Sequence, residues 1–233
     1  MSYRGGHSWP GNTGTLDASF RINRPFYFTW PANASGQIKP GREKGMETRA
    51  GVAQERRDGS LSIILVDTGG TFNKCYRPTD GTLVVESGAR AAREILRSAE
   101  MNLDIDWLEP VCKDSLDMTE ADRDAIVASL SKAARRRPAA PIIVVHGTDT
   151  MVRTGEVLSR AFPDRCVVLT GAMYPYEIDP VEPALNLGQA LGFVQGCPGP
   201  GVYLAMSGLV RPLGELEKNR ARGCFRPGAS PSA

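Results

Sequence analysis

The stretch Leu61–Lys74, LSIILVDTGGTFNK, constrains this chain more than any other, because a continuous apolar run stops abruptly at Thr68-Gly69-Gly70-Thr71. An unbroken hydrophobic run of this length suits a strand buried on both faces, the habit of parallel sheets covered by helices. Two adjacent glycines let the main chain turn sharply and approach a neighbour or a ligand closely. Thr71 is thereby placed on a tight turn with its hydroxyl exposed.

Three later stretches repeat this layout of apolar residues breaking into small polar ones: Leu108–Met118 (LEPVCKDSLDM), Pro141–Met151 (PIIVVHGTDTM) and Cys166–Met173 (CVVLTGAM). In an open parallel sheet, ligands bind beyond the carboxyl ends of the strands, near the point where strand order reverses. Four such ends converging predict one site. From Ser62 onward strand-like and helix-like segments alternate, so the expected fold class is α/β, a doubly wound and mostly parallel sheet with flanking helices.

Helical periodicity places Ala91, Ile95, Leu96 and Ala99 on one face of Glu86–Met101. Thr119-Glu120-Ala121-Asp122 reads as a capping box opening a helix to about Arg136, where three arginines suit the negative end of the dipole. Pro141–His146, Cys166–Thr170 and Gly201–Met206 read as strands. Thr150–Phe162 and Pro183–Gln195 read as helices, and Ser207–Phe225 as a polar segment.

Residues 1–60 differ in kind. Gly, Pro, Asn and Arg dominate them, nine Lys/Arg stand against five Asp/Glu, and no apolar period is sustained. They read as a disordered extension, the aromatic cluster Pro25–Trp30 being the exception. Residues 61–226 form the expected folded domain and 227–233 a frayed tail. The whole chain has a formal charge of +2, with the excess confined to the extension, so no basic face for nucleic acid is expected. The five cysteines are scattered, which argues against a metal or disulfide framework and for a cytoplasmic, reducing setting. No apolar run approaches the roughly 18–20 residues that span a bilayer.

Two threonines at separate strand ends, Thr71 and Thr148, are the candidate hydroxyl nucleophiles, and a hydroxyl needs a base within reach. No Ser-His-Asp set is evident, since the two histidines are His7 and His146, and the latter ends a buried strand where hydrogen bonding is its ordinary role. Asp149 and a desolvated lysine remain. Lys218, after the fifth strand, is a candidate to reach back, although spacing alone reads it equally as a surface residue.

These residues carry a resemblance to the L-asparaginase family of the bacterial and archaeal, threonine-nucleophile type. Thr68-Gly69-Gly70-Thr71 resembles that family's first threonine motif, His146-Gly147-Thr148-Asp149-Thr150-Met151 its second, Asp114-Ser115-Leu116-Asp117-Met118 its substrate loop, and Thr170-Gly171-Ala172-Met173 its fourth strand end. The similarity extends from Ser62 to about Phe225. It implies the family's N-terminal domain in a short form without the second, smaller domain.

Carried across, the resemblance makes Thr71 the primary nucleophile and Thr148, Asp149 and Lys218 the second catalytic set, with Tyr76 assisting. Gly70, Ser115, Asp117 and Ala172 become substrate-binding positions, and Asp149 meets the substrate's α-amine. The implied reaction is hydrolysis of L-asparagine to L-aspartate and ammonia without metal or cofactor, in a homo-oligomer, with L-glutamine a second substrate to test. In long members a neighbouring subunit's second domain supplies a carboxylate to the α-amine, and Glu177, Asp179 and Glu182 are the places to look for a substitute here. Leu116 stands where those members carry a glutamine. A tRNA amidotransferase subunit and a non-catalytic asparagine sensor are the rival readings.

Overall fold

The computed structural model describes residues 60–196 and 198–228. The expectations for the extension before Ser60 and for the last five residues lie outside them. The first strand, β1 (Leu61–Asp67), runs into a short 3-10 turn at Thr71–Asn73 and a hairpin of β2 (Lys74–Arg77) and β3 (Thr82–Val85). Helix α1 (Arg90–Leu96), a 3-10 stretch (Arg97–Asn102) and β4 (Leu103–Leu108) follow, then a second 3-10 turn (Ser115–Asp117) and α2 (Glu120–Arg136). The chain continues through β5 (Ile142–Val145), α3 (Met151–Ala161), β6 (Cys166–Thr170), α4 (Val181–Gln195) and β7 (Gly201–Met206). It ends in three short strands, β8 (Leu209–Pro212), β9 (Leu216–Asn219) and β10 (Cys224–Pro227).

Six strands form the main sheet in the order β4-β1-β5-β6-β7-β8. All neighbours pair in parallel except β7 and β8. The side-chain period of two sorts the apolar run of β1 between the faces. Ile64 and Val66 join Ile126 and Leu130 of α2 and Met151 and Leu158 of α3, while Ile63 and Leu65 join Ala92 and Leu96 of α1 and Leu187 and Ala190 of α4. The sheet is thus covered on both faces, as the apolar run predicts. The chain passes from β1 to β4 on one side and then to β5 on the other, so strand order reverses between β1 and β5.

The box opening α2 is formed: Asp122 Oδ2 accepts the Thr119 amide at 2.7 Å, and the Thr119 hydroxyl accepts the Asp122 amide at 3.3 Å. The arginines closing it are tethered, Arg136 to Asp106 and Arg137 to Asp104.

Three segments depart from the sequence reading. The strand belonging to the second repeat is β4, immediately before the Leu108–Met118 stretch, which is mostly loop; the acids of LDIDWL obscure it, and both are answered by arginines at the end of α2. Helix α1 is shorter than Glu86–Met101, because Gly88 and Ala89 take positive φ of 95° and 49° just before it and the last turns tighten into a 3-10 form. The polar segment after β7 folds into β8, β9 and β10, with Leu216 and Phe225 buried against the core that α2 and α3 cover.

Candidate active site

The Thr71 turn is built from its own strand. Thr68 continues the β1 ladder by donating both its amide and its hydroxyl to the Val145 carbonyl, at 3.0 and 2.9 Å. Gly69 and Gly70 then adopt φ of 93° and 79°, a backbone region that side chains disfavour. Asp67 Oδ1 gathers the turn, accepting the Gly69 amide at 2.9 Å and the Asn73 side-chain amide at 2.6 Å. Thr71 starts the 3-10 turn half-buried, and no side-chain hydrogen bond to another described residue engages it.

Close glycine contacts bring the other strand ends to this turn. A Cβ on Gly70 would lie 2.4 Å from the Gly147 Cα, and one on Gly147 would lie 2.5 Å from Ser115 Oγ. The ends of β1 and β5 and the loop after β4 therefore touch where strand order reverses. Gly70 donates its amide to the Lys113 carbonyl at 2.9 Å, and the Thr150 hydroxyl holds the Ser115 carbonyl at 2.8 Å. Ser115 is 1% exposed, and its hydroxyl has no hydrogen-bond partner among the described residues. Asp114 caps the turn through the Leu116 amide and pairs with Lys74 at 2.6 Å. Burial alone would raise its carboxyl, but hydrogen bonds from Lys74 and Leu116 outweigh that and hold it below the usual range.

Thr148 sits in a different setting. It is buried, and Lys218 Nζ on β9 donates to its hydroxyl at 2.7 Å and to Asp149 Oδ1 at 2.9 Å. Arg220 adds a second cation to the same carboxylate oxygen at 2.7 Å. Lys218 is delivered by the β9–β10 hairpin, where it pairs with Phe225, itself a core residue. His146 is structural: its Nδ1 faces the Gly147 carbonyl at 2.8 Å and its Nε2 the Thr154 hydroxyl at 2.8 Å. Those partners assign the proton to Nδ1, and burial pushes the imidazole down to about 4, so it is neutral near pH 7.

The remaining expected site residues divide. Ala172 is buried with its methyl in the core beneath α4, which leaves its main chain for any contact. Asp117 is exposed on the 3-10 turn Ser115–Asp117. Tyr76 is 55% exposed on β2, with its hydroxyl toward the hairpin turn at Gly81, so it is not packed onto the Thr71 turn. The three loop acids are each engaged by main-chain amides: Glu177 takes that of Tyr76, Asp179 that of Val181, and Glu182 those of Met173 and Tyr174.

Sequence reasoning missed Asp67, Lys74 and Arg220. The signal for Asp67 was an acid closing an apolar strand, a place where a carboxylate must find donors. Lys74 and Arg220 read as ordinary surface cations, since the partner of each is distant in sequence.

Residues 62–224 match the family described as Asparaginase, N-terminal. Among solved structures, the chain is similar to the thermostable L-asparaginase from Thermococcus kodakarensis, at 25% identity and a TM-score of 0.60, over 72% of this chain and 51% of that one. It is similar also to L-asparaginase I from Vibrio cholerae, at 24% identity and a TM-score of 0.60, over 74% of this chain and 52% of that one. The chain spans about half the length of the solved structures it matches.

Proposed function

Because this chain belongs to the asparaginase family, we propose that it is an amidohydrolase converting L-asparagine and water to L-aspartate and ammonia, with Thr71 as nucleophile. The observation that carries this reading is the ion-paired set of Lys218, Asp149 and Thr148, held by 2.7 and 2.9 Å contacts. Thr148 and Asp149 follow the strand end whose Gly147 touches Gly70 beside Thr71. A half-buried lysine on a hydroxyl is the arrangement that proton relay needs.

In the proposed course, the Thr71 oxygen attacks the carboxamide carbon while its proton is relayed through Thr148 and the Lys218 ammonium, which hands one of its own protons to the Asp149 carboxylate. Main-chain donors near Thr148 and Ala172 face the developing oxyanion. The C–N bond breaks, the leaving amine takes the proton and departs as ammonia, and water cleaves the resulting ester to free aspartate and restore Thr71. Ser115 receives the α-carboxylate, its buried hydroxyl being unpartnered in the protein. Asp149 receives the α-amine, sharing its carboxylate with two cations. Gly70 and Asp117 line the same loops, and Tyr76, with its hydroxyl toward the hairpin turn at Gly81, has no step in this course.

No described helix is long and apolar enough to cross a membrane. A cytoplasmic homo-oligomer is the setting that accompanies the reading.

Ammonia release by the purified full chain, given L-asparagine and then L-glutamine, tests it. Release from asparagine supports the enzyme. Calorimetric binding of asparagine without ammonia release would replace it with a sensor.

A further inference from the structure

Asp67 is the last residue of β1 and is 3% exposed. One of its oxygens is fully used. Oδ1 accepts the Gly69 amide at 2.9 Å and the Asn73 side-chain amide at 2.6 Å. These two donors bracket Thr71, one on each side of it in the chain. Asn73 in turn closes the turn by donating its main-chain amide to the Gly70 carbonyl at 3.1 Å. The other oxygen, Oδ2, is buried with no hydrogen-bond partner among the described residues.

A carboxyl in such a place is costly unless its donors are worth keeping. If the requirement were only to end a strand, an apolar residue would do so without the burial penalty. The acid instead joins the first of the two glycines to the residue two places past Thr71, so that the turn cannot open without losing both bonds.

We propose that Asp67 is a positioning residue for the reaction at Thr71, fixing the turn that aims the hydroxyl by holding the Gly69 amide and the Asn73 carboxamide on a single oxygen. The kinetic part of this proposal rests on the amidohydrolase reading. The geometric part does not.

The surroundings make the hold responsive to pH. The ionisable groups facing Asp67 are Glu109 and Cys112 in the segment after β4 and Arg93 on α1. On the β5 side its register partner is Val145, which carries no charge. Desolvation by burial, reinforced by Glu109 and opposed by the Gly69 and Asn73 hydrogen bonds and by Arg93, pushes the carboxyl up to about 7. Ionisation strengthens both bonds, because a carboxylate is the better acceptor. The turn is therefore held more tightly as pH rises through the neutral range.

The test uses the full chain and its Asp67→Asn and Asp67→Ala variants. In the parent, the NMR signals of the Gly69 amide and the Asn73 side-chain amide should shift together with a midpoint near 7. That titration should vanish in Asp67→Asn, which keeps the shape and an accepting oxygen but cannot ionise. Asp67→Ala should lower kcat for asparagine on the order of 10²-fold, the cost typical of a misaimed reacting group, with KM unchanged. Asp67→Asn should restore most of that loss while removing the parent's ionisation near 7 from the kcat profile.

Full kcat in Asp67→Ala would overturn the proposal, and so would Gly69 and Asn73 side-chain amide signals in Asp67→Ala that match the parent's, since the hold on both donors would then be absent. A flat Gly69 amide signal from about pH 5 to 9 would overturn the pH response of the hold. Should Asp67→Ala fail to fold, the Asp67→Asn comparison decides alone. Should the parent release no ammonia, the amidohydrolase reading fails, and the amide signals of Asp67→Ala against the parent's still support or overturn the hold on the turn.

Discussion

The two threonines of the site, Thr71 and Thr148, occupy opposite settings only one glycine contact apart. Thr71 is half-buried on a turn held from beneath by Asp67 and Asn73, and no side-chain hydrogen bond to a described residue engages it. Thr148 is 6% exposed and pinned by a lysine that the Asp149 carboxylate keeps in place. An attacking oxygen has to be accessible and free to approach a carbon, whereas a proton relay has to be fixed at hydrogen-bond distance. The proposed division of labour between attack and proton transfer follows from what each hydroxyl touches.

The largest effect should come from removing the attacker. Thr71→Ala is expected to lower ammonia release by roughly 10⁴-fold or more, as loss of a nucleophile does elsewhere. Its melting temperature should stay near the parent value, because no hydrogen bond of the turn runs through that hydroxyl. Thr71→Ser, which keeps the oxygen, should retain part of the rate. A Thr71→Ala protein within tenfold of the parent would erase the contrast between the two threonines.

Lys218→Met keeps most of the side-chain volume and removes the charge. The β9–β10 hairpin should survive, since Leu216 and Phe225 anchor it in the core. The rate should fall about 10²- to 10⁴-fold, the usual worth of general acid–base assistance. Parent activity in this variant would make Lys218 a packing residue and leave Thr148 without its distinguishing feature.

Much of this was legible in the chain before any coordinates. The apolar run of β1 announces a strand buried on both faces because its residues divide evenly between two helical layers. Thr68–Thr71 and His146–Met151 announce strand ends because small polar residues and glycines follow apolar runs. What was not legible depends on distance along the chain. Lys218 meets Thr148 across 70 residues, a pairing that periodicity does not encode and that only the family resemblance pointed to. Strand β4 was hidden because Asp104 and Asp106 break its hydrophobicity, and their arginine partners lie at the far end of α2. Asp67 looked like the polar end of a strand. Its burial appears only once α1 and the loop after β4 pack over it.

The settings differ in stability as well. Because the folded protein raises the Asp67 carboxyl from 3.8 to about 7, the native state binds more protons than the unfolded chain between those values. Stability linked to this group is present below about pH 4 and is lost as pH rises through about 7. Asp67→Asn should flatten that slope and match or exceed the parent in urea-melt stability above pH 7. An unchanged slope in the variant would assign the pH dependence to another group.

The smallest effect is expected at Arg220. Its pairing with Asp149 is 70% exposed on the arginine side, and exposed pairs contribute about 0–1 kcal/mol. Arg220→Ala should change kcat/KM for asparagine by no more than about fivefold on that scale, leaving Lys218 to hold Thr148. A loss as large as that of Lys218→Met would show the relay to be a three-charge unit.

The assignment of attack to Thr71 and proton transfer to Thr148 is tested most directly by locating the covalent intermediate. Full-length protein turning over L-asparagine, quenched in acid and digested, should carry an aspartyl ester on the peptide containing Thr71, absent from Thr71→Ala. The same ester on the peptide containing Thr148 would contradict the account.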